Sequence, residues 1–183
     1  MSYKRWILVA IGLFVIGLVF GLFEPTSFTS PLSEDVVALE ELSGFLASLP
    51  LPLVAVVIFM KNASALLLSF ALSPIFCLLP ILTLTVNGWL LAFVSVIVSQ
   101  EKSLGFVLAG LLPHGVFELP ALILGEAAAL SFGAMVILAL FKKGQRDQLL
   151  PGLKQNLRYL VVALALLLPA AVIETYVTPL LLS

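Results

Sequence analysis

His114 is the single histidine of the chain, and it lies in an apolar stretch that runs from Leu104 to Phe141. Glu118 follows it by four residues and Glu126 by twelve. On a helix, residues four apart share one face, which brings the His114 and Glu118 side chains within reach of each other. An imidazole and a carboxylate at that spacing can relay a proton, hold half of a metal site, or serve as acid and base. The same pair can also satisfy itself and fix helix packing. Pro113 suits the first turn of a helix, where its missing N–H does no harm. PHGVFE therefore reads as a helix start that carries a His–Glu pair.

The other strongly polar residues in apolar segments are Lys61, Asn62, Asn87 and Glu174. Each needs a partner, because an unpaired polar group in hydrocarbon is costly. Lys61 is the most expensive of them, and is expected either to snorkel to an interface or to meet one of Glu118, Glu126 and Glu174. Asn87 can bridge helices, and the glycine beside it, Gly88, lets another backbone approach. The candidate polar site within the membrane is thus Asn62, Asn87, His114, Glu118 and Glu174. No Gly-rich phosphate loop, CxxC, GxSxG or HExxH occurs, so no cofactor is expected. One histidine cannot supply the His-rich sets usual for zinc, which leaves a mixed His114, Glu118 and Glu174 set as the metal candidate. Cys77 is the only cysteine and sits in an apolar run, where packing is its expected role.

The elements that must position these residues follow from composition. The chain has 183 residues, of which 62% are hydrophobic and 10% charged, with a mean hydropathy of +1.22. Soluble domains are roughly 45–50% apolar and about 25% charged, and a bilayer crossing needs about 20 apolar residues. The composition specifies an all-α, polytopic membrane protein in one domain, with the lipid bilayer as its main partner. A net charge of -1 without a basic patch excludes nucleic-acid binding.

Five spans are expected. The first covers residues 6–23; it is longer than a signal-peptide core and lacks a small-x-small cleavage site, so it is read as retained. Residues 24–49 carry Glu24, Glu34, Asp35, Glu40 and Glu41 without Lys or Arg, and Val36, Leu39, Leu42, Leu46 and Leu49 recur at helical spacing. This predicts an external amphipathic helix. Spans two and three cover 53–72 and 75–100. The block 104–141 is too long for one straight span at about 1.5 Å per residue, and Leu112-Pro113 is expected to split it into a half-helix and a fourth span. A basic loop, 142–158, precedes span five at 159–182. Lys4, Arg5, Lys142, Lys143, Arg146, Lys154 and Arg158 hold seven of the nine basic charges, so the positive-inside rule places the N-terminus and the basic loop in the cytoplasm. Crossing parity then puts the C-terminus outside. A polar Lys61-Asn62 hinge in span two, beside the Pro113 break, would make a pair of interrupted helices of the kind that frames a midplane transport site.

Ala121, Gly125, Ala129 and Gly133 repeat every four residues and mark a close helix contact, within one subunit or between two. A homo-oligomer is expected on that basis. Pro120 and Pro169 are expected to kink their helices and free backbone carbonyls.

Three strings, TVNGWLLAF, LPHGVFELPALILGEAAALSFG and AAVIETYVTP, together with FMKNASALL, resemble the stage II sporulation protein M family of multi-span membrane proteins. The resemblance covers the chain from Asn62 onward and implies about five spans. It highlights Asn62, Asn87, Gly88, His114, Gly115, Glu118, Leu119, Pro120, Glu174, Thr178 and Pro179; Glu126 and Lys61 depart from the family pattern. It also implies membrane-protein partners, since the member in spore formers acts with a peptidoglycan-degrading enzyme and a further membrane protein. The expected function is a non-enzymatic scaffold or a channel- or transport-like component of a membrane complex. The alternatives are an intramembrane hydrolase or a transporter of a small solute or ion that uses His114 and Glu118.

Overall fold

The computed structural model describes residues 3–23 and 49–182. The segment expected to form the external amphipathic helix lies almost wholly outside them. The described elements are α1 (Tyr3–Phe23), α2 (Leu51–Leu72), α3 (Leu78–Glu101), α4 (Leu104–Phe141), a 3-10 helix over Lys143–Gln148, α5 (Leu149–Tyr176) and a short α6 (Thr178–Leu182). Five helices are long and apolar enough to cross a membrane. Their outward faces expose Leu8, Phe20, Met60, Val116 and Val161, an arrangement that lipid tails, and not water, would solvate. The all-α bundle of about five spans is therefore what the chain forms.

The helices alternate in direction. Gly17 packs on Thr85 and Gly21 on Trp89, so α1 and α3 run the same way. Asn62 meets Glu118 and Ser69 meets Glu126, so α2 and α4 run together. Met135 abuts Gly152 and Gly125 abuts Ala163, so α5 runs against α4. α4 is shared by both halves of the core. Ala121, Ala128 and Ala129 pack with Ala63, Leu66, Ala163 and Leu167 from α2 and α5. Ala127 and Leu130 pack with Ala10, Phe14 and Leu84 from α1 and α3. The small-residue stripe is thus covered within the chain: Gly125 faces Leu66 and Gly133 faces Ser73 and Cys77.

The α2–α3 turn shows how sequence and packing cooperate. Ser73 and Pro74 end α2, and Phe76 and Cys77 take left-handed φ values of 52° and 54°. Each is a non-glycine residue in a region that costs about 1–2 kcal/mol. The turn is held by Cys77 N–H donating to Ser73 O at 3.0 Å and by the Cys77 thiol donating to Leu130 O at 3.7 Å. A Cβ at Gly133 would collide with the Ser73 carbonyl, so glycine there is what allows the turn to seat on α4. At the other end of α3, Ser103 caps α4 by accepting from Phe106 N–H at 3.1 Å.

Two expected interruptions are absent. α4 continues through Pro113 and Pro120, and α2 continues through Lys61 and Asn62. Each proline removes one backbone bond, to Ala109 O or Val116 O by helix register. A true break in lipid would strand several polar groups, so the unbroken helix costs less. Lys61 and Asn62 are polar but compatible with a helix. The expected basic loop is also largely helical. α5 starts at Leu149, ten residues before the predicted start of span five, with Pro151 tolerated in its first turn. α5 ends at Tyr176, and Val177 separates it from α6.

Candidate functional site

The site forms where α2, α4, α5 and α6 meet. The i, i+4 spacing on α4 brings His114 Nε2 to 3.7 Å from Glu118 Oε2. Asn62 on α2 donates from Nδ2 to Glu118 Oε1 at 3.0 Å. Thr178, the first residue of α6, places its hydroxyl 3.3 Å from His114 Nδ1. Glu174, near the end of α5, completes a group in which one ligand atom each from His114, Glu118 and Glu174 lie within 4.8 Å of one another. Lys61 is exposed and forms no ion pair within 4.0 Å among the described residues.

The Thr178 hydroxyl, which also lies 3.4 Å from Ile173 O, can accept from Nδ1. In that tautomer Nε2 turns a lone pair toward Glu118. The 3.7 Å separation exceeds the usual 2.7–3.2 Å of an N–H···O bond.

The cluster opens into a cleft of about 780 Å³ between α3 and α4. Its polar lining residues are His114, Glu118, Glu174, Thr178, Asn87 and Ser95. Toward the α3–α4 turn the walls are Val94, Val98, Phe106, Leu108 and Leu182. A smaller cavity of about 50 Å³ lies behind Glu118, between Asn62, Thr83 and Leu167.

Four of the five candidate site residues come together: Asn62, His114, Glu118 and Glu174. Asn87 borders both cavities, but its amide donates to Thr83 O of its own helix at 2.7 Å. Gly88 packs against α1 at Phe14. Gly115 borders the cleft, with no atom within 4 Å of where a Cβ would stand. Leu119 also lines the cleft, and Pro120 and Pro179 are exposed. Thr178, expected to be structural, is the partner of His114. Glu126 is fully buried elsewhere on α4, paired at 2.5 Å with Ser69, which sequence reasoning missed. A serine in an apolar helix ordinarily bonds its own backbone, so residue type alone does not reveal such a partner.

Together, the helices, their apolar exterior and the polar cluster inside them define a multi-pass membrane protein with an internal polar site. The model of the family described as Stage II sporulation protein M matches residues 10–179, and the chain belongs to that family. It is 25% identical, over 94% of its length and 93% of the relative's, to an uncharacterized protein of the archaeon Methanocaldococcus jannaschii. A second uncharacterized protein of that organism is 30% identical over 52% of this chain and 44% of its own. No solved structure matches.

Proposed function

We propose that this chain is a transport-like membrane component whose cleft takes an amphiphile, with an apolar chain along α3 and α4 and a hydrogen-bonding head group at the His114 cluster. The observation that carries this reading is the mixed lining of the cleft. Aliphatic and aromatic side chains make up most of its wall, and the His114, Glu118 and Glu174 group supplies a polar cluster within it. The volume, about 780 Å³, falls in the range of pockets that enclose small ligands, about 300–1,000 Å³. Among the described residues the hydroxyl or thiol hydrogen-bonded to His114 is that of Thr178 alone, which favours binding over hydrolysis.

Gly115→Leu tests the reading. The added side chain enters the open cleft and replaces a helix-interior glycine, which favours the helix by about 0.8–1.0 kcal/mol. The variant should keep or raise its melting temperature in detergent. Its uptake of a fluorescent lysophospholipid and its co-purified lipid, measured by mass spectrometry, should fall at least tenfold. Unchanged binding in a folded Gly115→Leu protein would sink the proposal.

The orientation belongs to the same reading. The basic residues of α1, the 3-10 helix and early α5 favour a cytoplasmic N-terminus, and the alternation of the helices then directs α6 outward. A cysteine placed at position 183 in a Cys77→Ala background should label from outside intact cells with an impermeant maleimide. Labelling only after lysis would reverse the assignment. Association with a second copy or another membrane protein would use exposed helix faces, since the α4 stripe is covered within the chain.

A further inference from the structure

We infer that His114, Glu118 and Glu174 bind one divalent transition-metal ion, with His114 Nε2 and one oxygen of each carboxylate as ligands. The geometry stands independently of the amphiphile. In the tautomer whose ring hydrogen sits on Nδ1, facing the Thr178 hydroxyl at 3.3 Å, Nε2 presents a lone pair. Glu118 Oε2 and Glu174 are acceptors as well. Among the described residues no hydrogen-bond donor reaches Glu174, and Lys61 forms no ion pair with it. One ligand atom each from the imidazole and the two carboxyl groups thus lie within 4.8 Å of one another, an arrangement that a cation can bridge.

The spacing suits an ion. Ligand atoms bound at about 2.0–2.2 Å lie roughly 3–3.5 Å apart in a tetrahedral site. The His114–Glu118 separation of 3.7 Å is too long for a hydrogen bond and close to that value. Small rotations of the glutamate side chain on α5 would close the remaining gap. The surrounding contacts are those that orient metal ligands. Thr178 holds the ring from behind, and Asn62 holds the second oxygen of Glu118 at 3.0 Å. A nitrogen and two carboxylate oxygens suit Zn²⁺, Mn²⁺ or Fe²⁺. Three protein ligands leave a coordination position toward the cleft. If an amphiphile occupies the cleft, an oxygen of its head group would take that position, and this last step alone rests on the proposed function.

The test uses the full chain in detergent, stripped with a chelator and purified on a tag without histidine. Zn²⁺ titration followed by elemental analysis should return one ion per chain. Because His114 is the only histidine, carbethoxylation by diethylpyrocarbonate at that ring reports the site in the unmutated protein. Saturating Zn²⁺ should slow the reaction at least tenfold. His114→Ala, Glu118→Gln and Glu174→Gln should each weaken binding at least a hundredfold, and Asn62→Ala about 10–100-fold, as for other residues that orient ligands. Glu126→Gln, two helix turns away on α4, should leave binding unchanged. Absence of a retained ion, or Zn²⁺ that leaves His114 equally reactive, would overturn the inference. The protection measurement needs no variant to fold, and neither readout depends on amphiphile uptake, so the two proposals fail separately.

Discussion

Gly88→Val is expected to lower the melting temperature of the detergent-solubilised protein by about 6–12 °C. At Gly88, α1 and α3 approach with their backbones in contact. A Cβ there would collide with the Phe14 carbonyl oxygen and crowd Leu18 N. The obstruction is backbone, so rotating a neighbouring side chain cannot relieve it. Gly17 and Gly21 on α1 meet the Thr85 and Trp89 carbonyls in the same way, and the three glycines together set the distance between the two helices. Overpacking typically costs about 1–3 kcal/mol. The upper end applies where two helices must separate, and each kcal/mol shifts the melting temperature by about 2–4 °C for a chain of this size. Gly12→Val is the control, because its Cβ would meet nothing within 4 Å on the exposed face of α1. Equal melting temperatures for the two variants would show that the close approach does not hold the helices together.

Ser69→Ala is expected to cost about 2 kcal/mol, or about 4–8 °C. Glu126 is wholly buried, its Oε2 bonds the Ser69 hydroxyl, and its Oε1 has no hydrogen-bond partner among the described residues. Removing the serine leaves a buried carboxyl with no donor, and the penalty is the unrelieved desolvation of that group. The paired substitution Ser69→Ala with Glu126→Leu should recover most of the loss, since replacing both partners by apolar groups of similar size is close to neutral. A double variant no more stable than Ser69→Ala would show that the glutamate itself supports the fold. The same cycle measures the coupling between α2 and α4 at a point about 12 Å along α4 from Glu118, by the helix rise.

The two experiments concern parts of the chain that differ in how legible they are in the sequence. Gly88 reads as a place of close backbone approach, because a glycine inside an apolar span lets another helix come near. Which helix approaches it was not legible. Glycine removes an obstacle without specifying a partner, and α1 is separated from α3 by more than fifty residues of chain. Glu126 stands out in the sequence as a departure from the family pattern, whereas nothing in the sequence distinguishes Ser69 as its partner. The proline and Lys-Asn positions misled in the opposite sense. They are breakers or polar interruptions by local preference, and the lipid setting overrode that preference because an open backbone has no water to bond.

The chain by itself determined its class, its five apolar helices and the shortlist of polar residues with an energetic need for partners. These are properties of composition, of run length against bilayer thickness and of the i, i+4 relation between His114 and Glu118, all of which are local. Tertiary structure alone decided that Asn62, Glu174 and Thr178, from three other helices, reach that pair, that Asn87 does not, and that the stripe on α4 is covered inside the chain. It also decided that the pair lines a largely apolar cleft. Those outcomes depend on the axial registry of helices far apart in sequence, and registry is set by how glycines, alanines and leucines interlock across the whole bundle, a quantity that no single segment contains.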